Sequence, residues 1–176
     1  MAEPATELFE APQNEVAVQQ ERSLISIIDR VLTRPDIDMD KIERFLDMQR
    51  QIEAEQAERA FNEQLAEMQA DIPAVQKRGK SHLGKYATWE DIQEAALPVL
   101  KRYGFSISHK TRVEGETVVV MCVLRHAAGH CDMSEMPLPM DKSGGKADIH
   151  AIASSIAYGK RYTASALLSI RVEGED

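Results

Sequence analysis

The chain has 176 residues, of which 43% are hydrophobic, so it is long enough to bury one core and carry terminal extensions. Its 29 acidic residues outnumber its 21 basic ones, and the formal net charge of -8 at first argues against a nucleic-acid partner, because phosphates repel an acidic surface. No stretch reaches the ~20 apolar residues of a membrane span, the first residues lack a secretory signal, and two cysteines cannot form a disulfide framework, so we expect a cytoplasmic protein.

The charge is unevenly distributed. Residues 1–72 contain 17 acidic and 7 basic residues, a net of -10, whereas residues 73–170 contain 9 acidic and 13 basic residues, a net of +4. Residues 171–176 form an acidic tail with a net of -2. A nucleic-acid interface is therefore expected only in the basic segment.

The first 72 residues are predicted to be mostly helical. Residues 1–22 lack hydrophobic periodicity and should form a disordered arm. Apolar residues at helical spacing predict a helix over 23–34 and a longer one from about Asp40 to Asp71.

Two apolar stripes of the long helix have different expected partners. The stripe near the end of the helix should pack on the following domain and comprises Phe61, Leu65, Met68 and Ile72. The earlier stripe could meet another subunit and comprises Ile42, Phe45, Leu46 and Ile52. Residues 23–72 are therefore predicted to be a helical assembly region.

A loop or short strand over 73–88 should lead into a helix capped by Thr88. Asp91 makes only an imperfect capping box, because that position prefers Glu or Gln. Pro98 should kink the helix, and Gly104 suits the position just after its end.

Three strand signals follow. Residues 105–113 alternate with period two, residues 117–126 form a nearly continuous apolar run, and residues 130–139 have a weaker, edge-like pattern. The connections are short, so neighbouring strands must be antiparallel, with the second strand in the centre and buried on both faces.

A last helix is predicted from Lys146 to about Ile170, weakened or bent at Gly159. Its buried face should comprise Ile149, Ile152, Ala153, Ile156 and Ala157. The predicted fold class is α+β, with a β-β-β-α core containing an antiparallel three-stranded sheet, preceded by a long helix and a second helix. Residues 73–170 form this core.

Motifs for enzymatic chemistry are weak. Ser143-Gly144-Gly145-Lys146 lacks the spacing of a phosphate-binding loop and is better explained as a flexible turn. His126 and His130 have a spacing that resembles zinc ligands, and Cys131 and Asp132 follow them as further candidates. The two histidines, however, lie on either side of a predicted hairpin turn. We therefore predict no catalytic residue, metal or cofactor.

Basic residues interleaved with aromatic ones are the strongest signal, because single-stranded nucleic acid needs cations for its backbone and flat faces for its bases. One cluster comprises Lys77, Arg78, Lys80, Lys85, Tyr86 and Trp89. The other comprises Lys142, Lys146, Tyr158, Lys160, Arg161 and Tyr162. The rings could equally be core residues, but a β-β-β-α fold could bring the two sets of cations together.

At these residues the sequence resembles the ERF family, the phage "essential recombination function" single-strand annealing proteins. The resemblance extends over about 23–170, with lead-in residues from Phe61 to Met68. The other matching segments are Lys85–Ile92, Gly104–Ser106, Ser143–Lys146, Ser155–Tyr162 and Ala166–Leu168.

The resemblance implies a non-enzymatic protein that anneals complementary single strands without ATP during phage-type homologous recombination. Its partners would be single-stranded DNA, the annealed duplex intermediate and further copies of itself in a ring or helical filament, with a single-strand-binding protein or an exonuclease as further candidates. It would act in the cytoplasm of the host cell. The expected DNA-binding residues are Lys80, Lys85, Tyr86, Trp89, Lys142, Lys146, Lys160, Arg161 and Tyr162.

Two other functions remain open from the sequence. An acidic helical scaffold would recruit a protein partner and would not bind DNA. A metal-dependent enzyme would use the region from His126 to Asp132.

Overall fold

A computed structural model describes residue 26 and residues 39–81, 84–145 and 147–173. The predicted arm over 1–22 and all but one residue of the predicted helix over 23–34 lie outside these ranges. The described residues fall into two compact units, divided between Met48 and Gln49. Within the described ranges, no helix is both long and apolar enough to cross a membrane.

The long predicted helix is present as α1, Met39–Asp71. Phe61 and Met68 of its final stripe are buried, as expected. The exposed fractions of Phe45 and Ile52 in the earlier stripe are 45% and 48%. The end of α1 is fixed by Asp71, whose Oδ2 accepts hydrogen bonds from Arg102 Nη1 at 3.1 Å and from the Tyr103 hydroxyl at 2.7 Å.

The segment predicted as a loop or short strand contains a small antiparallel hairpin of β1, Gly79–Ser81, and β2, Gly84–Tyr86. It leads to α2, Trp89–Arg102. Thr88 caps this helix with a complete capping box, so the expectation of an imperfect one was wrong. Asp91 N donates to Thr88 Oγ1 at 3.1 Å, and Thr88 N donates to Asp91 Oδ2 at 2.8 Å. The shorter Asp side chain therefore reaches as Glu would.

The three predicted strands form the antiparallel meander β3, Phe105–Glu114, β4, Thr117–His126, and β5, Cys131–Pro139, with β4 in the centre. Val118, Val119 and Val120 are all buried although their side chains alternate between the two faces of β4, so both faces of this strand are covered. The described sheet and helices confirm the predicted α+β class.

The final helix is α3, Asp148–Leu168, and it packs on β4 and β5. Its predicted buried face was wrong: the exposed fraction of Ile149 is 74%. The residues that are buried on α3 are Ala151, Ser155, Gly159, Thr163, Ala164 and Leu168. Most are small, because α3 approaches the sheet too closely for large side chains. A Cβ on Gly159 would lie 2.5 Å from Val120 Cγ2, so this glycine seats the helix on the sheet within a continuous α3.

The main core lies where the end of α1, the inner face of α2 and one end of the sheet converge. Phe61 packs edge-to-face on Phe105 with centroids 5.3 Å apart, alongside Leu100 and Leu124. A second cluster forms around Val75, which pairs in parallel with Val172 near the end of the chain. This pairing was not foreseen for the acidic tail.

Candidate functional site

A groove of about 890 Å³ runs beside α3. Its lining comes from three segments that are distant in sequence, residues 86–90, 138–142 and 153–161. These correspond to the start of α2, the chain that leaves β5, and α3. The fold therefore brings together parts of both basic–aromatic clusters.

Tyr86 reaches the groove from the β1–β2 hairpin. It pairs with Gly79 across the hairpin, and a Cβ on Gly79 would lie 2.8 Å from the Tyr86 ring. The Tyr86 ring thus packs over Gly79, and a larger residue at position 79 would displace the ring. Lys80 and Lys85 pair with one another in the same hairpin and are exposed, but neither lines the groove.

Arg161 lies among three tyrosines on the α3 side. Its guanidinium carbon is 4.6 Å from the ring centroid of Tyr86, 5.4 Å from that of Tyr158 and 5.7 Å from that of Tyr162. Its Nη1 also donates to the Ala87 carbonyl at 3.1 Å. These contacts connect α3 to the segment between β2 and α2.

Trp89 forms part of the groove wall and is half-buried. Its ring meets that of His109 on β3 edge-to-face, with centroids 4.9 Å apart. Burial lowers the pKa of His109, opposed in part by a hydrogen bond to the Lys160 backbone. His109 Nε2 is buried without a hydrogen-bond partner among the described residues. A neutral imidazole beneath Trp89 and Lys160 is therefore expected at neutral pH.

The segment after β5 is hydrogen-bonded to the first half of α3. Asp141 N donates to Ser155 Oγ at 3.0 Å, and Ser154 Oγ donates to Asp141 Oδ2 at 2.6 Å. Asp141 and Glu90 both line the groove, so its wall is not uniformly positive. This acidic contribution limits where a phosphate could lie.

Lys142 forms an exposed ion pair with Glu116, with Nζ 2.6 Å from Oε1. The hydrogen bond to Glu116 raises the pKa of Lys142, so the cation is retained. Such an exposed pair contributes little and can exchange for another anion. The following Gly144 and Gly145 have φ values of 68° and 69°, a left-handed conformation that explains the glycine pair.

Five of the nine predicted DNA-binding residues line the groove: Tyr86, Trp89, Lys142, Lys160 and Arg161. Tyr162 lies beside it and stacks on Tyr158. Lys80 and Lys85 lie on the neighbouring hairpin, and Lys146 is outside the described residues. The assignment of all nine residues to DNA binding stays a prediction.

Three features of the site were missed from the sequence. Tyr158 belonged to a cluster but was not assigned to the site, although its i,i+4 relation to Tyr162 was a signal. Asp141 and His109 had no local signal, because their positions depend on contacts between distant segments.

The region considered as a metal site instead supports the core. Both His126 and His130 pack against Phe61, with ring centroids 6.4 Å and 4.9 Å away. Within the described ranges, no group of three or more His, Cys, Asp or Glu side chains could hold a metal ion. Cys122 is buried and Cys131 is exposed.

The ERF superfamily model matches residues 61–176, which include the end of α1, the sheet and all three segments of the groove. The chain belongs to the ERF superfamily. This match confirms the resemblance seen in the sequence, and at the family level it supports single-strand annealing in phage-type recombination. Searches of curated proteins and of solved structures gave no match.

Proposed function

We propose that this ERF protein anneals complementary DNA strands without ATP, holding one strand along the groove beside α3. The observation that carries the proposal is the convergence of Lys160, Lys142 and Tyr86 on one groove in a family of annealing proteins. Lysines neutralise the phosphates of the bound strand, and this attraction needs no base sequence. Base pairing with the second strand then supplies specificity and product stability.

Lys160 is the best candidate for a phosphate contact. It lines the groove, and within the described part of the chain none of the ion pairs includes it. Lys142 must first exchange Glu116 for a phosphate. We therefore expect the single substitution of Lys160 to weaken binding more than that of Lys142.

The matched control for Lys160 is Lys110. Lys110 is exposed on β3, and strand alternation directs it to the face opposite that of His109, away from the groove. Lys160→Gln and Lys110→Gln remove the same charge from different faces of the protein. Their comparison separates local phosphate contact from a general loss of positive charge.

The primary test measures affinity for single-stranded DNA over a range of salt concentrations, with ATP-free annealing of complementary oligonucleotides in parallel. Each phosphate contact contributes about 0.7 to the slope of log K against log salt for single strands, so Lys160→Gln should lower the slope by roughly that amount. Lys110→Gln should leave it unchanged. Equal slopes for wild type and Lys160→Gln, with a reduced slope for Lys110→Gln, would move the site to the outer face of the sheet.

Assembly is the second part of the proposal. The exposed residues Phe45, Met48 and Ile52 follow an i, i+3, i+7 pattern and form one apolar stripe on α1. An exposed apolar stripe on a helix can be buried against a second copy of the chain, which would also repeat the groove. Repetition matters because the basic segment carries a net charge of only +4.

Light scattering tests the assembly. Phe45→Ser with Ile52→Ser should reduce the particle mass, whereas Val113→Ser, an exposed apolar residue on β3, should not. A wild-type protein that is monomeric both with and without DNA contradicts the assembly proposal while leaving single-strand binding to be judged by the salt experiment.

A further inference from the structure

The tyrosine patch consists of Tyr86, Tyr158 and Tyr162 around Arg161. Tyr158 and Tyr162 lie one turn apart on α3 and stack with centroids 4.3 Å apart and ring planes at 30°. Tyr86 comes from the β1–β2 hairpin. The three side chains belong to distant segments, so their meeting is a product of the tertiary fold.

All three tyrosines are partly exposed to solvent. The exposed fractions are 38% for Tyr86, 43% for Tyr158 and 45% for Tyr162. Tyrosines that serve only the core bury their rings, and adjoining exposed aromatic surface in a soluble domain commonly marks a binding site. The patch borders the groove that contains Lys160, so flat apolar faces lie next to a cation.

Arg161 is held inside the patch. Its guanidinium contacts the three rings and donates to the Ala87 carbonyl, as described above. These contacts fix Tyr86 relative to α3 through cation–π attraction and a backbone hydrogen bond. A phosphate would have to compete with all four of them for Arg161, whereas Lys160 has no such set of contacts.

The patch is also electrically suited to lie near DNA. A side-chain hydrogen bond to Tyr162 and partial burial raise the pKa of Tyr158, so the hydroxyl stays protonated and neutral. Tyr158 therefore adds no phenolate charge that would oppose a nearby phosphate.

We propose that Tyr158 and Tyr162 of the tyrosine patch form a stacking surface for unpaired bases of single-stranded DNA, and that Arg161 is a positioning residue that holds them against Tyr86. This inference rests on the proposed function. Stacking uses the face of a base and leaves its pairing edge open, so a second strand can still form base pairs. The sequence led us to expect that Arg161 contacts DNA directly. In this proposal Arg161 instead supports the rings that contact DNA.

The test compares an oligothymidylate with an abasic oligonucleotide of equal length and equal charge. The wild-type protein should bind the oligothymidylate more tightly. Tyr158→Leu with Tyr162→Leu should weaken that binding roughly 5- to 150-fold, the change expected for loss of about one stacked base. Its affinity for the abasic strand should stay unchanged. Tyr158→Phe with Tyr162→Phe is the matched control and should retain the preference, because Phe keeps the flat face.

Arg161 needs a separate readout. Arg161→Lys keeps the charge but loses the planar group, so it should reduce the preference for the oligothymidylate and leave the salt slope unchanged. Arg161→Gln should also leave the salt slope unchanged. A slope reduced by about 0.7 in Arg161→Gln, with the base preference intact, would instead make Arg161 a phosphate contact. Circular dichroism and thermal unfolding verify that each variant is folded.

The outcomes separate the two proposals. A wild-type protein that binds neither oligonucleotide overturns the proposed function. Equal wild-type affinity for both oligonucleotides overturns the stacking surface and leaves the annealing function standing. An unchanged preference in the double Leu variant also overturns the stacking surface, whatever the behaviour of Arg161.

Discussion

Gly159 offers a test of how closely α3 sits on the sheet. Besides the 2.5 Å approach to Val120 Cγ2, a Cβ at this position would lie 2.6 Å from Val120 Cβ and 3.1 Å from Leu138 Cδ1. Val120 is fully buried in the central strand, so it cannot swing away as the end of a flexible side chain could. Gly159→Ala therefore forces the helix or the strand to move.

Two opposing effects determine the change in the free energy of unfolding. Replacing Gly by Ala inside a helix favours folding by about 0.8–1.0 kcal/mol. Overpacking a tight core disfavours folding by about 1–3 kcal/mol. The overpacking penalty at this site should be toward the upper end of that range, because the clash involves the Cβ of Val120. We therefore expect Gly159→Ala to destabilise the protein by about 1–2 kcal/mol net.

Chemical denaturation measures this value, with Val120→Ala as the second arm of a double-mutant cycle. Val120→Ala alone removes two buried methyl groups and should destabilise the protein, but it also gives the helix room to move. Gly159→Ala should therefore be less destabilising in that background, with a coupling of about 0.5–3 kcal/mol.

Exposed Ala157 provides the control within the same helix. Ala157→Gly should destabilise by roughly 1 kcal/mol and so calibrate the helix propensity. If Gly159→Ala instead stabilises the otherwise wild-type protein by that same amount, the close seating of α3 on Val120 is refuted.

Three further predictions concern the end of α3, the cap of α2 and the cysteines. Ser169 ends α3 with φ of 52°, a left-handed conformation that costs a non-glycine residue about 1–2 kcal/mol, so Ser169→Gly should raise the free energy of unfolding by roughly 1 kcal/mol in urea titrations. Burial raises the pKa of Asp91, but hydrogen bonds from Thr88 and the charge of Arg78 outweigh burial, so the pKa is lowered overall. The ionised carboxylate therefore stabilises the folded protein above the unfolded pKa, and this stabilisation is lost as the pH falls through the folded pKa. Asp91→Asn should then cost about 1 kcal/mol at neutral pH and progressively less below about pH 3.9, and a constant difference over that range would contradict the assignment. Cys131 is exposed, whereas burial raises the pKa of Cys122 to about 12, so a thiol reagent should titrate one cysteine in the native protein and both in denaturant.

Much of the fold could be predicted because its signals are local. The alternation from Phe105 onward and the apolar run of β4 set the strand order, since their short connections allow only antiparallel neighbours. Thr88 and Gly104 likewise marked the two ends of α2 through short-range chemistry.

The face of α3 was mispredicted because hydrophobicity and close packing are different properties. Ile149 and Ile156 are the larger apolar residues, and a hydrophobic pattern assigns them to the core. The separation between helix and sheet selects small side chains instead, and that separation is set by tertiary contacts such as Gly159 on Val120. No local pattern in the sequence contains this distance.

The sequence predicted which residues belong to the candidate site but not how they are arranged in space. Sequence clustering brought Lys160, Arg161 and Tyr162 into consideration together. It could not distinguish Lys160 from Arg161, which are adjacent in sequence but differ in their contacts. It also could not foresee that Glu116, 26 residues away in sequence, pairs with Lys142. These distinctions arise only when distant segments meet.

The two faces of α3 are coupled through its backbone. Gly159 fixes the depth of the helix on the sheet, and Lys160 and Arg161 follow immediately on the groove side. A helix is stiff over one turn, so a displacement at Gly159 also moves the Arg161 guanidinium relative to Tyr86, which belongs to a separate hairpin. Small residues on the inner face thus hold the outer face in register with the rest of the site. It follows that Gly159→Ala should weaken binding of base-containing strands more than binding of abasic ones, even at temperatures where the variant remains fully folded. Equal loss for both strands would show that the contact with Val120 does not position the tyrosines selectively, and no loss for either strand would show that α3 positions its cations and tyrosines independently of that contact.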